Sequence, residues 1–171
     1  MHWVEALMKD PVGAVLIDNG LRSPEFIISP GDFHRADILP RMVWQSVKFD
    51  PKEQAKLPTE PGLYAFVVRV NFPGLPPNGW VLYIGQTGDG VSAGTLRNRF
   101  GQYLRDKKKP KRPSVFFMLN AWDGALEFFY TPLSSRKADL EKLETELLGA
   151  FRPPFTDRTY PATYMSPRHA F

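Results

Sequence analysis

Residues 62–85 read GLYAFVVRVNFPGLPPNGWVLYIG, and this stretch decides the fold. Residues 63–70 and 80–84 are two runs rich in β-branched and aromatic side chains, which is typical of strands. Prolines and glycines between them form a turn-rich connection, so we predict a long antiparallel hairpin. The period of two along the first strand places four side chains on one face: Tyr64, Phe66, Val68 and Val70.

The chain after this hairpin alternates between helical and strand-like patterns. A glycine-rich loop, 85–94, leads into a predicted helix from about Thr95 to Arg105, with Thr95 as its N-cap. Residues 115–119 and 126–130 predict two further strands on either side of the turn AWDG. Together these patterns predict an α+β fold with a small antiparallel sheet flanked by helices.

A last helix is predicted to begin after Ser134 or Ser135 and to run to about Phe151, where Pro153 and Pro154 end it. Its apolar arc is formed by leucines and one phenylalanine, and Glu144 lies within that arc, roughly 40° from Leu140. A carboxylate on a buried stripe is costly unless it binds a cation or is well hydrogen-bonded. Two interpretations therefore stay open for Glu144: a buried partner of an arginine, or a metal ligand in a cleft.

Length and composition limit the classes of protein. The chain has 171 residues, 43% hydrophobic and 13% aromatic, which suits one domain with a real core. We expect residues 59–157 to form that core, residues 1–58 to be an N-terminal extension packed on it, and residues 158–171 to be a tail. Within the extension we predict a helical turn and three short strands, at 3–8, 12–17, 26–28 and 43–49.

Cysteine is absent, which excludes disulfide scaffolds, cysteine-based zinc sites and thiol nucleophiles. No apolar run reaches the roughly 18–20 residues that cross a bilayer, and no signal-peptide pattern begins the chain, so we expect a cytoplasmic protein without membrane contact. The net charge of +4 permits a polyanionic partner without requiring one.

Arg99 and Tyr103 are spaced i, i+4 on the first predicted helix, so both project from one side of it. Taken singly, Arg99 fits a surface ion pair, Tyr103 fits core packing, and the strand residues Tyr64 and Tyr83 fit ordinary sheet positions. Their order along the chain, with Glu144 following, is what singles them out.

The ordered series resembles the GIY-YIG nuclease family. The resemblance rests on Gly62-Leu63-Tyr64, then Tyr83-Ile84-Gly85-Gln86-Thr87, then Leu96 with Arg99 and Tyr103, then Glu144 with Phe151, Pro153 and Thr156. It covers about residues 60–157. It implies a small antiparallel sheet flanked by helices and a metal-dependent endonuclease that hydrolyses DNA phosphodiester bonds.

The resemblance also implies roles for five residues. Glu144 would be the only side-chain ligand of Mg²⁺ (or Mn²⁺), and Mg²⁺ needs few carboxylates because it keeps several waters. Arg99 would bind the scissile phosphate. Tyr64 and Tyr83 would line the site, and one of them would help to deprotonate the attacking water. Tyr103 would contact the phosphate or relay a proton.

Three supporting positions follow from the same resemblance, and two of them depart from the family pattern. Gly85 matches. Thr156 stands where the family usually has Asn, and Gln86 stands where some members have Lys. These departures motivate an alternative in which the chain is a catalytically degenerate nucleic-acid-binding module of the same fold. A structural or adaptor domain is a third possibility.

The strongest run of positive charge joins the first helix to the next element: Lys107, Lys108, Lys109, Lys111 and Arg112. Such a run fits either a solvated loop or phosphate-backbone contact, and beside a nuclease core we favour DNA contact. Arg152 and Arg158 extend the run if they face the same way. The expected partner is double-stranded DNA, with RNA left open, and a restriction-type role would require a homodimer.

Overall fold

The computed structural model of the chain describes residues 42–70, 73–74, 76, 78–88, 94–109, 111–133 and 137–156. The elements predicted at 3–8, 12–17 and 26–28, the two serine caps and Arg158 lie outside these ranges, and the division into extension, core and tail stays a prediction. Within them no helix is long and apolar enough to cross a membrane. The described part is α+β, with one four-stranded antiparallel sheet and helices, as the sequence predicts.

The sheet contains β1 (Gln45–Lys48), β2 (Gly62–Val70), β3 (Asn78–Thr87) and β4 (Leu126–Pro132) in the order β1-β4-β2-β3. The predicted hairpin is β2 with β3, and it is confirmed. Strand β3 is longer than predicted, because it continues through residues 85–87, which the sequence assigns to the glycine-rich loop. Strand β1 confirms the last strand predicted in the N-terminal extension, and it pairs with β4.

A β-bulge interrupts the hairpin. Phe66 pairs with Tyr83, but the next residue, Val67, pairs with Val81, so Leu82 is an extra residue on β3. A bulge reverses the alternation of side chains at that point. Leu82 and Tyr83 accordingly pack against the same apolar cluster, although they are neighbours in sequence.

The two faces of the sheet carry separate apolar clusters. Helices α1 (Leu96–Asp106) and α2 (Pro113–Ala121) contribute to the cluster on one face, and helix α3 (Lys137–Phe151) contributes to the other. The first cluster receives Tyr64, Phe66 and Val68 from β2, as the period of two predicts; the side chain of Val70 lies outside the described part. The second receives Leu63, Ala65 and Val67. The sheet is therefore the middle of three layers.

Helix α1 confirms the helix that the sequence predicts. The hydroxyl of Thr95 accepts a hydrogen bond from the amide of Asn98 at 3.1 Å, which satisfies one of the free donors of the first turn. A 3₁₀ helix, Pro51–Lys56, lies beside the start of α1. Arg97 Nε donates to the Leu57 carbonyl at 2.7 Å and ties the two helices together.

The strand predicted at 115–119 is wrong, because these residues form helix α2. Pro113 at the first helical position favours a helix start. A short apolar run does not distinguish a buried strand from a buried helix, and Val115, Phe117, Met118 and Leu119 are all buried, which hides the helical period. The strand predicted at 126–130 is confirmed as β4.

Helix α3 ends at Phe151 as predicted. Arg152 follows with a positive φ of 43°, and Pro153 comes next, so the helix cannot continue. Beyond it, the amide of Phe155 donates to the carbonyl of Leu82 at 3.1 Å. The segment after α3 therefore lies against β3, next to the bulge.

Candidate active site

Three tyrosines form the centre of the candidate site, on the face of the sheet that α1 covers. Tyr64 comes from β2, Tyr83 from the bulged part of β3, and Tyr103 from α1. The hydroxyls of Tyr64 and Tyr103 are 2.9 Å apart and share a hydrogen bond. Ring centroids are 6.2 Å apart for Tyr64 and Tyr83 and 5.9 Å for Tyr83 and Tyr103. The structure brings these three predicted residues together.

The bulge at Leu82 is what turns Tyr83 into this cluster. With regular alternation, residues 81 and 83 would share the α3 face, where Val81 packs. The extra residue moves Tyr83 to the other face, beside Tyr64 and Tyr103. Bulges of this kind often re-aim a side chain next to an active site.

Gly85 makes room for the phenol of Tyr64, which it faces across the hairpin. A Cβ atom at position 85 would lie 2.4 Å from the Tyr64 hydroxyl oxygen and 2.6 Å from its Cζ. These distances are below van der Waals contact, so any larger residue forces the ring to move. Glycine at this position is therefore required by the placement of the tyrosine.

We predict that Gly85→Ala destabilises the fold by about 1–3 kcal/mol, as overpacking of a core typically does, and displaces the Tyr64 ring. Urea unfolding measures the first effect and near-ultraviolet circular dichroism the second. Gly79→Ala is the matched control on the same strand, because its Cβ would lie 3.3 Å from a Val67 methyl and 4.0 Å from Arg69 Cγ, both in side chains. Equal stability of the two variants would contradict the packing role.

Burial differs sharply among the three phenols. Tyr64 is 2% exposed and Tyr103 is 0% exposed, whereas Tyr83 is half-buried. Tyr103 therefore cannot touch a substrate phosphate in this arrangement, and of its two predicted roles only the relay fits. Tyr83 is the member of the cluster that reaches the surface.

Burial raises the pKa of Tyr64 above its ordinary value, and Tyr83 raises it further. Arg99 and the hydrogen bond to Tyr103 lower it again, and Glu144 adds a smaller increase. Burial raises the pKa of Tyr103 as well, well above its ordinary value. Both phenols therefore stay protonated near neutral pH, and neither is suited to act as a base.

Arg99 and Glu144 approach this cluster from different layers. Arg99 is half-buried on α1, and its Nη1 donates to Gln102 Oε1 at 2.8 Å. Glu144 is 3% exposed on α3, among leucines of the second cluster, as its place in the apolar arc predicts. The charges of Arg99 and Glu144 act on the pKa of Tyr64 in opposite directions.

Oxygen atoms suited to a hard cation lie along the end of β3. Gln86 Oε1, Thr87 Oγ1 and Thr156 Oγ1 are buried, and none has a hydrogen-bond partner among the described residues. Gln86 belongs to the α3 side of the strand, two residues after Ile84, and Thr156 follows the segment held against β3. Magnesium prefers oxygen ligands and retains water, and Glu144 supplies one carboxylate of the kind it binds.

The described residues contain no group of three or more histidines, cysteines, aspartates or glutamates placed to hold a metal. A divalent cation at this site would therefore depend on Glu144 as its side-chain carboxylate, with water completing the shell. The resemblance to the nuclease family predicts the same ligand.

Sequence reasoning did not anticipate the partners of two basic residues. Arg112 forms an ion pair with Asp106, and its Cζ lies 5.0 Å from the centroid of the Tyr103 ring. Lys107 forms an ion pair with Asp123 at 2.5 Å. The i, i+3 spacing of Arg99 and Gln102 indicates that their side chains can form a hydrogen bond. Nothing in the sequence indicates that the Arg112 side chain packs on the Tyr103 ring.

Comparison of the chain with protein-family models, curated proteins and solved structures finds no match to any of them. The resemblance to the nuclease family therefore stays a prediction from the motifs, and the geometry of the site carries the functional interpretation.

Proposed function

We propose that the protein is a magnesium-dependent endonuclease of the GIY-YIG type that hydrolyses DNA phosphodiester bonds. One observation carries the proposal: the hydroxyls of Tyr64 and Tyr103 share a hydrogen bond of 2.9 Å, the Tyr83 ring lies beside them, and Arg99 lies one turn before Tyr103 on α1. A guanidinium and phenols on one face of the sheet, with a carboxylate on the helix that packs on the other face, are the groups that the proposed metal-assisted phosphodiester cleavage needs.

In this proposal the chain supplies a phosphate clamp and a set of oriented hydroxyls. Arg99 binds the scissile phosphate and offsets the negative charge that grows as the water oxygen bonds to phosphorus and an ester P–O bond breaks. Glu144 would hold the magnesium ion, which when bound lowers the pKa of a coordinated water and neutralises phosphate charge.

The phenols divide between two tasks because their burial differs. Tyr64 and Tyr103 stay protonated, so they act as hydrogen-bond donors that hold the arrangement. Tyr83 reaches the surface, and it is the phenol that can approach the attacking water. Of the two tyrosines that the resemblance proposes as the base, burial favours Tyr83, because Tyr64 is 2% exposed and Tyr83 is half-buried.

The basic segment supplies affinity without sequence information in this proposal. Lys108, Lys109 and Lys111 are exposed, and no described carboxylate pairs with them, whereas Lys107 and Arg112 are paired with aspartates. A carboxylate partner cancels much of a lysine's attraction for phosphate. The three exposed lysines are therefore the backbone contacts that we favour.

We predict that replacing Lys108, Lys109 and Lys111 together by Gln makes the dependence of log affinity on log salt less steep by about three, close to one for each phosphate contact. Fluorescence anisotropy across a salt series, with EDTA to prevent cleavage, measures it. Lys107→Gln should change the slope less, and the exposed Lys56→Gln should not change it. A slope that stays constant in the triple variant would remove this surface from the interface.

Incubation of the purified protein with supercoiled plasmid and with RNA, in magnesium, manganese or EDTA, tests the proposed function. We expect nicked or linear plasmid with either metal and none with EDTA. DNA binding without cleavage under every condition would refute the nuclease and favour the degenerate binding module. If the protein binds neither DNA nor RNA even at low salt, the alternative that it is a structural or adaptor domain is favoured.

The products of the same assay test whether the protein acts as the homodimer that a restriction-type role requires. A two-fold dimer presents two sites to a palindrome and converts supercoiled plasmid directly to the linear form. A monomer accumulates nicked circles first. Sedimentation of the protein with and without DNA measures the oligomeric state itself.

A further inference from the structure

An apolar groove of about 780 Å³ lies on the face of the sheet that α3 covers, opposite the tyrosines. Strands β2, β3 and β4 form its floor, and three aromatic side chains stand along it: Trp44, Phe129 and Phe151. It reaches the turn end of the hairpin, where Arg69 and Asn78 are exposed. An open apolar surface of this kind marks a place where a ligand, a partner or another segment of the chain packs.

The groove offers little charge to an anionic ligand or to DNA. Among the described residues that line it, only Arg69 is charged. Its Cζ lies 5.2 Å from the centroid of the Phe129 ring, and its Nε lies 3.8 Å from a carboxylate oxygen of Glu127. This cation is therefore already engaged within the chain, and the occupant that the groove fits is apolar.

The chain enters the described part at the wall of this groove. Met42 and Trp44 pack against the second apolar cluster, whereas Val43 between them is 79% exposed. Residues 1–41 come immediately before Met42. An apolar segment among them is therefore tethered beside the groove, and a tether of this kind gives it a high effective concentration there.

The strands predicted at 12–17 and 26–28 need a surface of the kind that the groove provides. They read VGAVLI and FII. Two strands alone are at best marginally stable in water and require a further strand or an apolar surface to pack on. The 13 residues that connect them to Met42, 29–41, span up to about 45 Å when extended, which exceeds the roughly 33 Å length of the ten-residue strand β3.

We infer that residues 12–28 of the same chain fill this groove and pack between the sheet and the end of α3. Leu147 and Phe151, which line the groove, belong to the helix that carries Glu144. A segment packed against them holds α3 on the sheet and so keeps Glu144 in place. This consequence for the carboxylate rests on the proposed function, whereas the docking of the segment does not.

A photochemical cross-link in the full chain tests where residues 12–28 lie. The chain has no cysteine, so Val81→Cys places a single thiol in the groove, which a benzophenone maleimide labels. We expect irradiation to join position 81 to residues 12–28 in the monomer band of a denaturing gel, as identified by peptide mass spectrometry. Lys142→Cys, on the exposed face of α3, is the matched control and should give no cross-link to that segment.

Hydrogen exchange measures the docking independently of activity. The amides of residues 12–17 and 26–28 should exchange at least about 100-fold more slowly than in an unstructured chain. Trp44→Ala removes a wall of the groove and should reduce this protection about 10- to 100-fold, together with that of residues 147–151, while α1 keeps its protection. Val43→Ala is the matched control, because Val43 is exposed, and it should change the protection by less than about twofold.

Cleavage measures the consequence for Glu144. Trp44→Ala should lower the single-turnover rate at saturating DNA about tenfold, because a less firmly held α3 misplaces the carboxylate. Val43→Ala should cleave at the wild-type rate.

The outcomes separate the docking from the proposed function. A cross-link between two chains would make the groove a dimer interface, and absence of any cross-link to residues 12–28 would leave it for a small apolar ligand; either result refutes the inference. Unchanged exchange of residues 12–28 in Trp44→Ala refutes it as well. If Trp44→Ala also loses protection in α1, the variant is destabilised as a whole and the cross-link decides. If the wild-type chain cleaves no substrate, the proposed function fails, whereas the cross-link and the exchange still report whether the segment is docked.

Discussion

Glu144→Gln should lower the rate of DNA cleavage about 10³-fold, which corresponds to roughly 4 kcal/mol of lost transition-state stabilisation, the scale of a metal ion's contribution. Glu144 is the only carboxylate that our proposal gives the cation, so its loss removes the metal from the reaction. The side chain is 3% exposed and glutamine has nearly the same shape, so the fold is preserved. Single-turnover cleavage of a labelled duplex at saturating enzyme measures the effect.

Glu141→Gln is the matched control for that variant. It removes the same charge from the same helix, but from an exposed position, and it should cleave at the wild-type rate. Both variants should bind DNA with unchanged affinity in EDTA, and Glu144→Ala should behave as Glu144→Gln does. Cleavage by Glu144→Gln at the wild-type rate would refute the proposal that Glu144 is a metal ligand.

Arg99→Ala should lower the cleavage rate about 10²- to 10³-fold, the usual cost of removing one donor that stabilises transition-state charge. Arg99→Lys should recover only part, because lysine keeps the charge but lacks the two parallel donors that match a phosphate. The expected loss lies in the rate at saturating DNA, since the contact strengthens as charge develops. Gln102, which bonds Arg99 at 2.8 Å, steadies the guanidinium.

Arg105→Ala is the control for Arg99, because it removes an arginine from an exposed position near the end of the same helix. It should leave the saturating rate unchanged. A result in which Arg99→Ala raises the dissociation constant but keeps the saturating rate would make Arg99 a ground-state anchor and not a transition-state contact.

The parts of the fold that were predictable have strong local patterns. The hairpin β2–β3 has two β-rich runs and a proline-rich turn between them, and α1 has a threonine cap followed by an amphipathic pattern. The buried position of Glu144 followed from helical geometry alone. In each case the residues that determine the structure lie close together in sequence.

The parts that were missed depend on contacts between distant residues. Helix α2 is apolar on most sides, because it is buried in the same layer as α1. The helical period of its apolar residues is therefore hidden, and residues 115–119 were predicted as a strand. The bulge at Leu82 is a shift in the pairing register between β2 and β3, and no sequence pattern within β3 indicates it. The inward turn of Arg112 requires Asp106 and the Tyr103 ring to be in place first.

The sheet separates the proposed machinery into halves: tyrosines and Arg99 on one side, and Glu144 on a helix that packs on the other. A ribosome makes the first half before it makes the second. A nascent or truncated chain that ends before α3 lacks Glu144 and, under the proposed function, could not hold the metal. The proposed cleavage activity would therefore require synthesis of the last helix.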